Sequence, residues 1–262
     1  MHLFRAISIA SLGLTLSCRA RDRQEGAPRP DVPGDAGAGL PATPESRTAH
    51  LAPPSQSVRQ HICLSIDNSE DCARTIEQRL LAQPNLPVHR KDPGTLVFDL
   101  QSGKHIVLHD SVTEGTDYVG YSYAGYLGPI HAYLVEVQFY EGGSWVLVRE
   151  PSGQRVGIAG PPTVAPDSVR FVALSSDLVA HYDPTCIEVW SVQSDTIVLE
   201  WSLDLGESAW GPTGATWLSN DSIRIATELA PDISEGRAGP PALVVRAKDG
   251  WKLAAAPPVT SN

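Results

Sequence analysis

From residue 95 onward, apolar residues alternate with polar ones or gather in short runs broken by turn residues, the period-two signature of half-buried strands. Four turn sequences separate such runs: Leu100-Gln101-Ser102-Gly103-Lys104, Glu150-Pro151-Ser152-Gly153-Gln154, Val192-Gln193-Ser194-Asp195-Thr196 and Ala247-Lys248-Asp249-Gly250-Trp251. Gly or Asp at the fourth position of each accepts the left-handed backbone that a type I turn with a bulge requires. Every aromatic residue except Phe4 lies beyond residue 95, so the core is expected there. One helical pattern precedes it. Asn68 or Ser69 can cap, Glu70 and Asp71 fall in the first turn where the helix dipole favours anions, and Cys72, Ile76 and Leu80 recur at i, i+4 and i+8. Ahead of this helix, Ile62 to Ile66 reads as a strand carrying Cys63.

The turns recur. Gly103, Gly153, Asp195 and Gly250 are spaced by 50, 42 and 55 residues, the length of a four-stranded propeller blade. A second register agrees, since Pro166-Asp167-Ser168-Val169-Arg170-Phe171-Val172-Ala173 matches Asn220-Asp221-Ser222-Ile223-Arg224-Ile225-Ala226 at an offset of 54. This step, with Val164-Ala165-Pro166-Asp167 before it, resembles the S-P-D-G turn that opens a strand in TolB-type and related bacterial β-propellers, with Ala165 and Ser168 where that pattern has Ser and Gly. The resemblance implies an all-β fold: a small or incomplete β-propeller-like repeat domain of four blade-like units with one N-terminal helix. A simple twisted meander satisfies the same pattern. Residues 58–110 also resemble the equivalent segment of uncharacterised bacterial lipoproteins with blade-like repeats, a family that brings no assigned chemistry.

Residues 1–18 read as an export signal. Arg5 and the free amine supply positive charge, and Ala6 to Ser17 is an uncharged, mostly apolar run too short to span a bilayer. Leu14-Thr15-Leu16-Ser17-Cys18 resembles the lipobox of bacterial lipoproteins, with Thr15 where that family favours Leu. The resemblance implies acylation of Cys18, and hence attachment to a membrane through a lipid anchor. Ordinary cleavage after Cys18-Arg19-Ala20 is the alternative. Residues 19–57 hold seven Pro, seven Ala, four Gly and no aromatic residue, a composition that cannot bury enough apolar surface to offset chain entropy. They are expected to form a disordered linker that holds a folded domain, residues 58–262, away from the anchor. The expected location is the bacterial cell envelope, at the inner or outer membrane, facing the periplasm or the cell surface.

Charge narrows the partners. The net charge is −10 over 262 residues, and a sequence pI near 5.2 excludes general binding to nucleic acid, which needs concentrated Lys and Arg. Of the four cysteines, Cys63 and Cys72 are close enough to close a short loop in an oxidising compartment. Cys186 reads as a small buried hydrophobe. No second cysteine pair with ligand spacing supports a zinc site.

Local motifs for catalysis are weak. His105 and His109 lie on one strand by composition, so that roughly 13 Å separates them and no ion is easily shared. Gly120-Tyr121-Ser122-Tyr123-Ala124-Gly125 has one residue too many for a nucleophile elbow, and no helix follows. His181-Tyr182-Asp183 with Asp177 could form a small polar loop site. Six of the seven tyrosines fall between Tyr118 and Tyr140, either as β-formers packed between sheets or as exposed anchors for a sugar or a protein. Alternation puts Tyr121 and Tyr123 on one face, the first choice for a binding surface. Trp190, Trp201, Trp210, Trp217 and Trp251 suit packing within and between repeats. The sequence therefore points to an envelope lipoprotein that binds an envelope protein or a glycan without catalysing a reaction. It implies no catalytic residue, metal or cofactor; an envelope hydrolase with loop-borne catalytic groups and a structural spacer are the competing readings.

Overall fold

The computed structural model of the chain describes residues 50–111, 115–230 and 237–255. The export segment, Cys18 and residues 19–49 of the linker lie outside them. In chain order the elements are helices α1 (Gln56–Cys63) and α2 (Ser69–Leu81), then strands β1 (Val88–Asp92), β2 (Thr95–Asp99), β3 (His105–His109), β4 (Val119–Leu127), β5 (Ala132–Phe139), β6 (Gly143–Arg149) and β7 (Arg155–Ile158). The remaining strands are β8 (Thr163–Val164), β9 (Arg170–Ser175), β10 (Cys186–Val192), β11 (Ile197–Asp204), β12 (Trp210–Ser219), β13 (Ser222–Leu229), β14 (Arg237–Ala247) and β15 (Gly250–Ala255). The fold is all-β, built on four antiparallel sheets of three or four strands, each of them open.

Residues 58–262 read as one domain in sequence, whereas the contacts divide the chain into two compact units. An N-terminal unit takes the described residues up to Glu141 together with Val148–Gln154, and a C-terminal unit takes Gly142–Leu147 and the described residues from Arg155. The folded part also begins ahead of Val58. The Tyr126 amide donates to the Leu51 carbonyl at 2.9 Å, and Pro53 lies so close to Gly125 that a Cβ there would stand 2.5 Å from the proline nitrogen. Residues 50–57, assigned by composition to the linker, thus belong in part to the fold.

In the N-terminal unit, the expected helix is present. The Asn68 side chain accepts the Asp71 amide at 2.7 Å, and Cys72, Ala73, Ile76 and Leu80 are buried along one stripe of α2. The expected strand Ile62 to Ile66 is instead the end of α1 and the turn after it. Ser55 caps α1 through the Val58 amide, and the Ile66 amide returns to the Cys63 carbonyl at 3.0 Å. The disulfide Cys63–Cys72 forms, with the Cα atoms 5.2 Å apart, and so joins helix to helix rather than strand to helix. Strands β1-β2-β3 form one sheet, and β4 pairs with β5, packing against α2.

The C-terminal unit contains two four-stranded antiparallel meanders, ordered β11-β10-β9-β8 and β12-β13-β14-β15. The two copies of the Asp-Ser step lead into the second strand of each, β9 and β13. Val172, Ile187 and Val189 of one sheet pack in a common core with Trp210, Ile223, Ile225, Val244 and Trp251 of the other. Trp201 and Trp217 pack against that core, and Trp190 stacks on Phe171 at 6.1 Å, so the tryptophans serve packing. The four expected turns separate β2 from β3, β6 from β7, β10 from β11, and β14 from β15. Gly103, Gly153 and Gly250 have φ of 76°, 73° and 120°.

Candidate functional site

Tyr121 and Tyr123, expected on an exposed face, are 8% and 1% exposed. Strand β4 is covered on both faces, with every residue from Gly120 to Tyr126 buried, so alternation along it opens neither face to a ligand. The Tyr123 ring packs edge-on against Phe98 at 6.3 Å and near Tyr133 at 6.4 Å. What the segment offers instead is backbone. The Tyr123 amide donates to Glu77 at 2.6 Å, the Tyr121 amide to Asp110 at 2.8 Å, and the Tyr121 carbonyl accepts from Arg74 and Arg90. Arg90 also grips both oxygens of Glu77, at 2.8 and 3.0 Å. Burial pushes the Glu77 carboxyl up to about 7, against the lowering effect of the Tyr123 amide and Arg74.

The other sequence candidates are dispersed. His105 pairs with Asp99 at 2.7 Å, and His109 lies 3.3 Å from the Thr95 hydroxyl. Among the described residues, no group of three or more His, Cys, Asp or Glu is placed to hold a metal ion. Gly120 to Gly125 lies inside β4, without the strand-to-helix turn of a nucleophile elbow. Asp177 organises its own loop: burial alone would raise its carboxyl, but the amides of Asp183, Ala180, Tyr182 and His181 together hold it below the ordinary carboxylate range. Cys186 is fully buried, yet it is a disulfide cysteine rather than the expected free thiol.

Two arrangements carry chemistry, both within the N-terminal unit. The first is an open cleft of about 370 Å³ between the start of α2 and the end of β5, lined by Ser69, Glu70, Tyr118, Gln138 and Tyr140 among others. The tyrosine is 61% exposed. Behind it the polar groups are ordered in a chain, in which the Ser69 hydroxyl donates to Gln138 at 2.9 Å, Gln138 donates to Glu136 at 2.9 Å, and Arg59 donates to Glu136 at 2.7 Å. Burial comes first, with Arg59 and Gln138 opposing it, in raising the Glu136 carboxyl above its ordinary value. Tyr118 donates to Glu70, and burial with that carboxylate keeps its phenol protonated far above the usual range.

The second is centred on Glu150, which is 4% exposed. Its carboxylate accepts from the Tyr126 hydroxyl, from Tyr133 at 3.2 Å and from Gln101 at 3.2 Å. His50 stacks on Tyr126 with ring centroids 4.1 Å apart, its Nε2 3.8 Å from Glu150. Burial lowers the His50 imidazole below its ordinary value despite that carboxylate. On the outer side, His131 Nδ1 lies 3.2 Å from the Tyr126 oxygen.

Sequence reading passed over most of these residues. Glu136 and Gln138 interrupt the otherwise apolar run of β5, which is the one signal that could have marked them; Glu150 stood in view only as a turn residue. No protein-family model matches the chain, and no curated protein matches it.

Proposed function

We propose that this protein is an exported, non-enzymatic binding module of the cell envelope that takes a glycan in the cleft beside Tyr140. The observation that carries this reading is a largely exposed tyrosine ring beside pre-ordered planar polar side chains, Gln138 and Glu70. A phenol ring offers flat apolar area to the hydrophobic face of a sugar, and fixed amide and carboxylate groups meet its hydroxyls. The chain Arg59–Glu136–Gln138–Ser69 holds those groups in place before any ligand arrives, which lowers the entropy that binding must offset.

Residues 1–17 have the character of an export signal, and disulfides such as Cys63–Cys72 persist in oxidising compartments. In this reading Cys18 is acylated, residues 19–49 act as a tether, and the two meanders of the C-terminal unit, with matching Asp-Ser steps ahead of their second strands, are blade-like modules of an incomplete propeller. Such sheets supply a rigid body that keeps a binding surface in one shape.

Titration of the protein with neutral and amino-sugar oligosaccharides, followed by tyrosine fluorescence and by amide shifts around Gln138, tests the proposal. Saturable binding is expected, weakened about tenfold or more by Tyr140→Ala, the scale of losing one exposed aromatic anchor. Absence of any saccharide response, together with a protein crosslinked through this cleft in intact envelopes, would overturn it.

A further inference from the structure

The Glu150 centre is separate from the cleft and rests on different residues. Its hydrogen bonds run in one direction. Glu150 as a carboxylate can only accept, so the Tyr126 hydrogen points to it. The Tyr126 oxygen is then left with lone pairs facing His131 Nδ1 at 3.2 Å, and only a proton on that nitrogen makes the contact favourable. The opposite tautomer would set two lone pairs against each other.

The backbone around His131 is built to hold this contact. His131 has φ of 43°, a left-handed conformation in which His, like Asn and Asp, is enriched among residues other than glycine, and it closes the 3-10 turn Gly128–Ile130. A glycine would fill that position at less cost. Arg149 donates to the carbonyls of Ile130 and His131, and the Glu150 amide donates to the His131 carbonyl at 2.9 Å. The residue that orients the imidazole through Tyr126 thus also anchors the turn that carries it. The imidazole itself is 63% exposed.

We propose that Glu150, Tyr126 and His131 form a relay that fixes His131 in its Nδ1–H form and presents Nε2 to solvent as a hydrogen-bond acceptor for a hydroxyl group of a bound ligand. The ligand hydroxyl donates to the Nε2 lone pair and keeps its proton. In this assignment His131 is the group that meets the ligand; Tyr126 and Glu150 are positioning residues.

The test is spectroscopic and needs no substrate. In ¹⁵N-histidine-labelled protein at a pH where the ring is neutral, long-range ¹H–¹⁵N correlation should place the His131 proton on Nδ1. Tyr126→Phe keeps the ring and its packing but removes the acceptor, and should shift the tautomer ratio about fivefold toward Nε2–H, the worth of one net hydrogen bond. Diethyl pyrocarbonate, which acylates an unprotonated imidazole nitrogen, should label His131 at Nε2 faster than the similarly exposed His105, and this lead should disappear in Tyr126→Phe. A wild-type His131 protonated at Nε2 overturns the proposal whether or not the variant folds; so does a labelling rate unchanged by Tyr126→Phe.

Discussion

Glu77 occupies a position on α2 where the apolar stripe would otherwise continue, and it is 3% exposed. It is kept there because β4 needs an acceptor for the Tyr123 amide and β1 delivers Arg90 to the same carboxylate. Because its carboxyl is raised from 4.5 to about 7 in the folded protein, the native state holds more protons than the unfolded chain between these values. The contribution of Glu77 to stability is therefore fully present below the lower value, falls as pH rises through the window, and is flat above it. Glu136 and Asp183, also raised, act in the same sense, whereas His50, lowered, costs stability as pH falls through the range where the unfolded imidazole protonates. The Glu77 part is isolated by difference: urea midpoints measured from pH 4 to 8 should change less steeply with pH in Glu77→Gln than in wild type. Equal slopes would remove this account. Gly125 gives a second residue-level expectation. Its φ is 130°, and a Cβ would meet Pro53 backbone atoms at 2.5 and 2.7 Å, so Gly125→Ala should cost about 2–3 kcal/mol. Gly103, with φ of 76° and open space around it, should lose only about 1 kcal/mol on the same change, from backbone strain alone. Denaturation curves of the two variants decide it.

At the scale of elements, what was legible followed from local rules. Helix α2 could be placed from its cap and stripe, and the hairpin turns from glycine and aspartate, because each signal resides within a few residues. The end of α1 was misread as a strand because Ile62 and Ile66 are good β-formers, and the deciding feature, the Ser55 cap, lay in a stretch assigned to the linker. Strand β4 was misjudged for a different reason. Alternation predicts one wet face only when the sheet is covered on one side, and a sequence does not announce that α2 lies against β4. The Glu150 centre was hidden for a related cause: Tyr126 and His131 flank the turn between β4 and β5, but Glu150 sits in a later turn, and only tertiary structure brings its carboxylate to them. The disulfide, by contrast, was readable from spacing although one of its elements was not. It clips α1 to α2 across a sequence separation of 9, so replacing Cys63 and Cys72 together by serine should cost about 2–3 kcal/mol. Asn68→Ala, which removes the α2 cap, should cost about 1 kcal/mol. Chemical denaturation of both variants tests whether the covalent clip outweighs the cap.

For the whole molecule, the sheets follow from packing, whereas the anchor is a matter of sulfur chemistry. The repeat register seen in the Asp-Ser steps corresponds to two meanders sharing one core, with Trp251 donating to Glu200 at 2.7 Å and Trp217 to the Thr163 carbonyl at 2.9 Å. No comparable geometry bears on where the protein resides, and there the sulfur count supplies the sharpest constraint. All three described cysteines are in disulfides, and three is an odd number, so with Cys63 paired to Cys72 the bond of Cys186 needs a sulfur from elsewhere. Acylation of Cys18 would commit the fourth cysteine of the chain to a thioether, and a thioether sulfur cannot also form a disulfide. The anchored reading therefore makes a double prediction. Wild-type protein should fractionate with membranes and Cys18→Ser should release it, while non-reducing digestion should find no peptide joining Cys186 to Cys18. A peptide joining Cys186 to Cys18, or fractionation unchanged by Cys18→Ser, would remove the lipid anchor and leave an exported protein closed by two disulfides of its own.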